Sequence, residues 1–230
     1  MSDFQIQKLI WDSTFFGYKI GKVEINSILN VKDLINTIKN SPFDMVQVFS
    51  NQNLESVFKQ NPIDLKLTYS KKVATATTNN HCIKSVNKDL DGTLVKLAKE
   101  AGIHSRYKTD KNLQLKFEEM YETWMNKSLK RELAIEVFAY QDKNRINGMV
   151  TINKKLKKAE IGLIAVDNKA QSKGIGTQLL QSVENWALKQ NLENICVATQ
   201  EENYNACQFY EKNNYIISDK TYIYHVWKNA

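Results

Sequence analysis

The sequence predicts an α/β fold: a mixed, partly parallel β-sheet flanked by helices, preceded by a smaller α/β unit. Three observations carry this. Residues 133–140, 146–153 and 159–166 are consecutive runs rich in apolar and β-branched residues, joined by short polar segments, which reads as an antiparallel meander. The pattern then changes to helix 175–190, strand 193–199, helix 204–213 and strand 215–227, and a strand–helix–strand passage requires a parallel pair. Two helical patterns precede the meander, at 93–101 and 113–130. The second aligns Leu113, Phe117, Met120, Tyr121, Trp124 and Met125 on one apolar stripe.

The first third gives a second, shorter alternation. Residues 15–25 read as strand and turn. Residues 31–40 place Val31, Leu34, Ile35 and Ile38 on one helical face, and 44–50 read as a strand. Residues 53–60 read as a short helix capped by Asn53, and 65–76 as a β-branched strand. The polar stretch 77–92 is the best linker, so the expected units are residues 1–90 and 91–230. Prolines are few and there is no internal repeat.

Composition bounds the function. With 230 residues, 42% hydrophobic and 25% charged, the chain is long enough to bury a core and too apolar for extended disorder. The formal charge of +7 is uneven: net −1 over residues 1–65, net +10 over 66–158 and net −2 over 159–230. Such a surface suits anionic partners, but no zinc-finger, basic-zipper or RNA-recognition pattern supports nucleic acid. The run Lys154 to Lys158 reads as a solvated hairpin turn. Cys82, Cys196 and Cys207 have no metal-ligand spacing and suit a reducing compartment. The start shows no secretory pattern and no apolar run is long enough to span a bilayer. A cytoplasmic protein without metal, membrane or nucleic-acid partner is the expectation.

The segment with most chemical content follows strand 159–166. Gln171, Ser172, Lys173, Gly174, Ile175, Gly176 and Thr177 form a glycine-bearing loop that opens a helix. Glycine lets the backbone turn sharply and approach a ligand, and the free N–H groups of a first helical turn bind phosphate. Lys173 can add a point charge. A Walker A loop would need Lys after the second glycine. A dinucleotide loop would need glycine where Leu179 stands.

Gln171, Gly174 and Gly176 after a strand, followed by Asn203, Ala206 and Tyr210-Glu-Lys, resemble the GCN5-related N-acetyltransferase (GNAT) superfamily over about residues 110–227. The resemblance implies a mixed sheet splayed after its fourth strand, with acetyl-CoA or another short acyl-CoA in the gap. It implies that Ala170 to Thr177 hold the pyrophosphate, that Ile164, Ala165 and Val166 pair with the pantetheine arm, and that Asn203 hydrogen-bonds the same arm. By the same resemblance Tyr210 is the general acid that protonates the departing CoA thiolate. Two positions depart from the pattern: Gln208 where arginine is common, and Asn214-Tyr215 where Gly-Phe is usual. Asn tolerates the left-handed conformation that the helix end needs.

The opening, Trp11-Asp-Ser-Thr-Phe-Phe16-Gly17, is similar to that of TDP-fucosamine acetyltransferases and related nucleotide-sugar N-acetyltransferases. The segments Ser105 to Asp110 and Tyr121 to Ser128 agree more loosely. This resemblance implies a nucleotide-linked (dTDP) deoxyamino sugar as acceptor, a role in polysaccharide biosynthesis, and Trp11, Phe16, His104 and Arg106 as acceptor-site residues. Trp11, Phe15 and Phe16 read equally as core aromatics, and Arg106 as a surface arginine. His81, His104, Glu118, Glu119 and Glu160 are open as general base, as is a water chain. A protein, polyamine or antibiotic amine as acceptor, a non-catalytic CoA-binding protein, and a homodimer are also compatible with these motifs.

Overall fold

The computed structural model describes residues 4–26, 31–74, 81–143 and 145–228. The first part of the chain forms β1 (Gln7–Lys8), α1 (Ile10–Phe16), β2 (Ile20–Ile25), α2 (Val31–Asn40), β3 (Met45–Ser50), α3 (Glu55–Phe58) and β4 (Asp64–Lys72). There follow β5 (Ile83–Ser85), α4 (Thr93–Ala101), α5 (Arg106–Thr109) and α6 (Phe117–Leu129). The meander is β6 (Glu136–Asp142), β7 (Arg145–Lys155) and β8 (Lys158–Val166). The chain closes with α7 (Ile175–Lys189), β9 (Asn194–Gln200), α8 (Tyr204–Lys212) and β10 (Ile216–Trp227).

Three local readings change. Residues 15–25 are not one strand and turn. Trp11, Phe15 and Phe16 lie on helix α1, which stops at Gly17 in the left-handed region (φ +79°), its N–H returning to the Ser13 carbonyl. The expected linker 77–92 contributes β5, which pairs with β6, while its residues 77–80 lie outside the described residues. The four-residue α5 occupies a segment with too few residues to show a helical period. The solvated turn is as expected, with Leu156 exposed at its tip.

The strands join in one mixed sheet, ten-stranded among the described residues, in the order β1-β2-β3-β10-β4-β9-β8-β7-β6-β5. Two pairs are parallel, β2 with β3 and β8 with β9. The expected units 1–90 and 91–230 therefore share one sheet. β4 comes from the first and lies antiparallel between β9 and β10 of the second. Helices cover both faces, so strands such as β3 are buried at consecutive residues, Met45 to Val48. On one face Leu67, Tyr69, Ile152, Ile161 and Val197 pack against Leu179 and Val183 of α7 and Tyr210 of α8. On the same face farther along, Val46, Val48 and Tyr224 bury Leu34 and Ile38 of α2. The opposite face packs Val137 and Met149 against α4 and α6, and Ile20 and Met45 against α1, α5 and α6. No helix among the described residues is long and apolar enough to cross a membrane.

Candidate active site

The sheet parts at its centre. β8 and β9 pair from Lys158↔Asn194 to Ile161↔Val197 and no further. Beyond that point β8 pairs only with β7, and β9 only with β4. A bulge accompanies the divergence: Val150 faces Ile164 and Ile152 faces Ile161, so Gly162 and Leu163 oppose Thr151 alone. The Thr151 hydroxyl accepts the Leu163 N–H at 2.8 Å, and a Cβ on Gly162 would lie 2.9 Å from that oxygen. Ile164, Ala165 and Val166 are left half-buried along one edge of the gap.

The glycine loop follows on the α7 face. Asp167 anchors its entry, accepting the Lys169 N–H at 2.9 Å and meeting Lys96 at 3.3 Å. Gln171 donates to the Val166 carbonyl and Asn168, and Lys173 to the Lys169 carbonyl. Gly174 caps α7 in the left-handed region (φ +74°) without any side-chain cap, and the helix ladder starts only at the Gln178 N–H. The N–H groups of Ile175, Gly176 and Thr177 thus project from the helix end, where the dipole is positive. Gly176 has a packing reason the sequence did not show: a Cβ there would lie 3.0 Å from the Phe209 ring. Ala170 is buried and Gln171 to Gly174 are exposed.

Tyr210 stands on the same face, buried against Tyr69 at 5.4 Å and Phe209 at 5.4 Å. Burial, with Cys207 adding to it, pushes its phenol well above the ordinary range, so it holds its proton at neutral pH. No side chain among the described residues hydrogen-bonds its hydroxyl. Asn203 caps α8, its side-chain oxygen accepting the Ala206 N–H at 3.3 Å. Asn214 takes the left-handed conformation expected of it (φ +63°), and the Tyr215 N–H returns to the Tyr210 carbonyl.

The opposite face of the gap opens into a cavity of about 600 Å³. Its floor is the sheet, where Glu160 pairs across to Cys196, and Thr68 to Ala198. Its walls include Trp11 of α1, Trp124 and Lys127 of α6, and Lys66 of β4. Trp11 stacks on Phe15 at 4.8 Å and stands 6.2 Å from Trp124. Of the four acceptor-site residues expected from the sequence, only Trp11 lines this cavity. Phe16 is core, stacked on Tyr107 at 5.7 Å, because the helical turn of α1 points it inward. His104 is exposed in the turn before α5 and lines no part of the cavity. Arg106 lines no part of the cavity and joins a largely buried polar cluster.

That cluster is built on the same sheet face. Arg106 donates to the Tyr107 hydroxyl, which reaches Asp12 at 3.3 Å, and the guanidinium lies 4.0 Å from Asp64. Both Asp64 oxygens are buried without a hydrogen-bond partner, and burial pushes this carboxyl up to about 6 against the pull of Arg106. His225 meets Asp110 at 2.6 Å, and Trp227 donates to the same oxygen. Burial holds His225 below its ordinary value and therefore neutral at pH 7, so Nδ1–H is assigned as the donor. For Asp110, burial acts upward, but these hydrogen bonds win and hold it low. Sequence reasoning missed Lys66, Lys127 and Cys196 as cavity residues and treated Trp124 as stripe. Only a strand register brings residues 66, 160 and 196 together, and no local pattern encodes it. Among the described residues no group of three or more metal-ligating side chains converges.

A mixed sheet parted at its centre, with an open helix end on one face and a cavity on the other, defines an acyltransferase-type architecture. The chain belongs to the acetyltransferase (GNAT) family, which matches residues 94–215, just over half its length. Among curated proteins it is 38% identical over 77 residues to the uncharacterized protein YdhI of Bacillus subtilis, covering 34% of this chain and 47% of that protein. The match thus spans about half the length of that relative. A solved structure of a functionally unknown conserved protein from Staphylococcus epidermidis superposes with a TM-score of 0.64 at 13% identity, covering 100% of this chain and 92% of that one. A GCN5-related N-acetyltransferase from Sphaerobacter thermophilus gives 0.52 at 10% identity, covering 90% and 73%. These likenesses show the fold.

Proposed function

We propose that the protein moves an acetyl or other short acyl group from acyl-CoA to the amino group of a nucleotide-linked (dTDP) deoxyamino sugar. One observation carries the reading: the gap between β8 and β9 joins a donor-rich helix end to a separate cavity, with a protonated phenol on one face and a carboxylate on the other. The residues fit an acyl-CoA. The N–H groups of Ile175 to Thr177 suit a pyrophosphate, and the open edge at Ile164 to Val166 suits an amide-bearing arm. Bound there, acyl-CoA supplies the thioester carbonyl. Glu160, facing the cavity, takes the proton of the incoming ammonium, directly or through water. The amine nitrogen then forms the C–N bond, the C–S bond breaks, Tyr210 gives its proton to the sulfur, and the proton that the nitrogen sheds on becoming an amide restores the phenol through water.

The amino-sugar acceptor is favoured by the resemblance of the α1 segment and by the place of Trp11 in the cavity. The test is release of free thiol from acetyl-CoA mixed with dTDP-aminodeoxyhexoses, polyamines and aminoglycosides. Turnover with the sugar nucleotides is expected. Turnover only with another amine would overturn the acceptor assignment and keep the transfer chemistry. Binding of CoA with no thiol release from any amine would overturn the transfer chemistry.

A further inference from the structure

We infer that Lys66 and Lys127 form an anion subsite in the cavity, built for phosphate groups that the acceptor carries; this rests on the cavity being the acceptor site. Both side chains line the cavity, one contributed by the sheet and one by α6. Neither has a carboxylate within ion-pair distance among the described residues, although many other lysines here do, as Lys71 does with Glu184. Lys127 instead lies over the Trp11 ring at 5.7 Å. Lys66 is half-buried, and burial lowers its pKa; Asp219 and, less strongly, Asp64 oppose this, while Arg106 and Lys22 add to it. An ammonium that is partly desolvated, crowded by like charge and unpaired is in a state that a bound anion relieves.

The charges in the cavity are sorted by position. Glu160 stands beside the gap, paired across the sheet to Cys196, which pairs in turn to Ser70. Lys66 is four residues farther along β4 on the same face. Two strand spacings and four residue rises put the two α-carbons roughly 16 Å apart. The intervening floor is small and uncharged, Thr68, Cys196 and Ala198. A ligand that seats its amine at Glu160 therefore has room for a ring before its anionic group meets Lys66, with Lys127 lining the same cavity. Both lysines belong to the strongly basic stretch 66–158, so part of that charge is directed into a cavity.

The test uses the full chain saturated with CoA, so that the loop before α7 is blocked, and titrates inorganic pyrophosphate by calorimetry. Binding that falls tenfold or more in Lys66→Met and in Lys127→Met, but not in Lys157→Met at the exposed hairpin, is the expected result. Unchanged thermal midpoints establish that the variants fold. With a dTDP-amino sugar as acceptor, the same two substitutions should raise its KM tenfold or more and leave the KM for acetyl-CoA unchanged. Absence of pyrophosphate binding, or equal binding by wild type and both variants, overturns the subsite. If no sugar nucleotide turns over while pyrophosphate binding still depends on Lys66, the subsite stands and the amino-sugar reading falls. If sugar nucleotides turn over equally in all variants, the reverse holds.

Discussion

The two faces of the gap between β8 and β9 are built from different chemistry. On the α7 face the polar groups are mainly backbone: N–H groups of a helix end opened by Gly174, in a segment whose net charge is −2. On the cavity face they are side chains contributed by residues 11, 66, 124, 127, 160 and 196. Backbone recognition needs only a few neighbouring residues with the right φ. Side-chain recognition is assembled from positions that meet only in the folded sheet.

That contrast can be broken by substitutions that should touch one face only. The largest expected effect is Tyr210→Phe, a fall in kcat of about 10²-fold or more with CoA affinity unchanged, measured by thiol release and calorimetry. The substitution removes the proposed proton donor and keeps the ring that packs against Tyr69 and Phe209. Full activity would remove Tyr210 from the chemistry. Glu160→Gln should slow turnover about tenfold to a hundredfold at neutral pH, with partial recovery at high pH where the amine is already neutral. A flat pH response would assign the base elsewhere.

Gly174→Val tests the backbone side. A β-branched residue at φ +74° costs about 1–2 kcal/mol and displaces the first turn of α7. CoA affinity should fall about tenfold, and binding of the acceptor to the free protein should not change. The smallest effect on turnover concerns Asp64. Its folded pKa of about 6 lies above the ordinary value, so its contribution to stability is complete below about pH 4 and is lost as pH rises through 6. The loss is at most about 3 kcal/mol. Asp64→Asn should remove that slope from a series of thermal midpoints between pH 4 and pH 7, whatever the variant's stability at one pH.

The same contrast explains what was legible in the sequence. The meander, α4, α7 and α8 carry strong periods, and the loop at 171–177 carries its glycines, so the strand, loop and helix end on that face could be read locally. The cavity could not. Trp11 was found through a resemblance, while Phe16, five residues on along the same helix, turned into the core. Lys66 sits in a strand whose pattern says nothing of its neighbours. Asn203 has a structural duty as a helix cap that the motif alone did not reveal. Short α5 and three-residue β5 are too brief for any period to show.

The position of β4 bears on how the molecule comes into being. Its hydrogen-bonding partners on both sides, β9 and β10, lie more than a hundred residues later in the chain. During synthesis β4 leaves the ribosome long before either exists, with both edges unpaired and Leu67 and Tyr69 uncovered. The central sheet can close only when the last strand arrives, which makes formation slow and non-local. A truncated product ending before β10 would be expected to expose a sticky strand edge and fall to aggregation or proteolysis. The twelve residues of β10 thus complete a sheet that β4 opens far earlier in the chain.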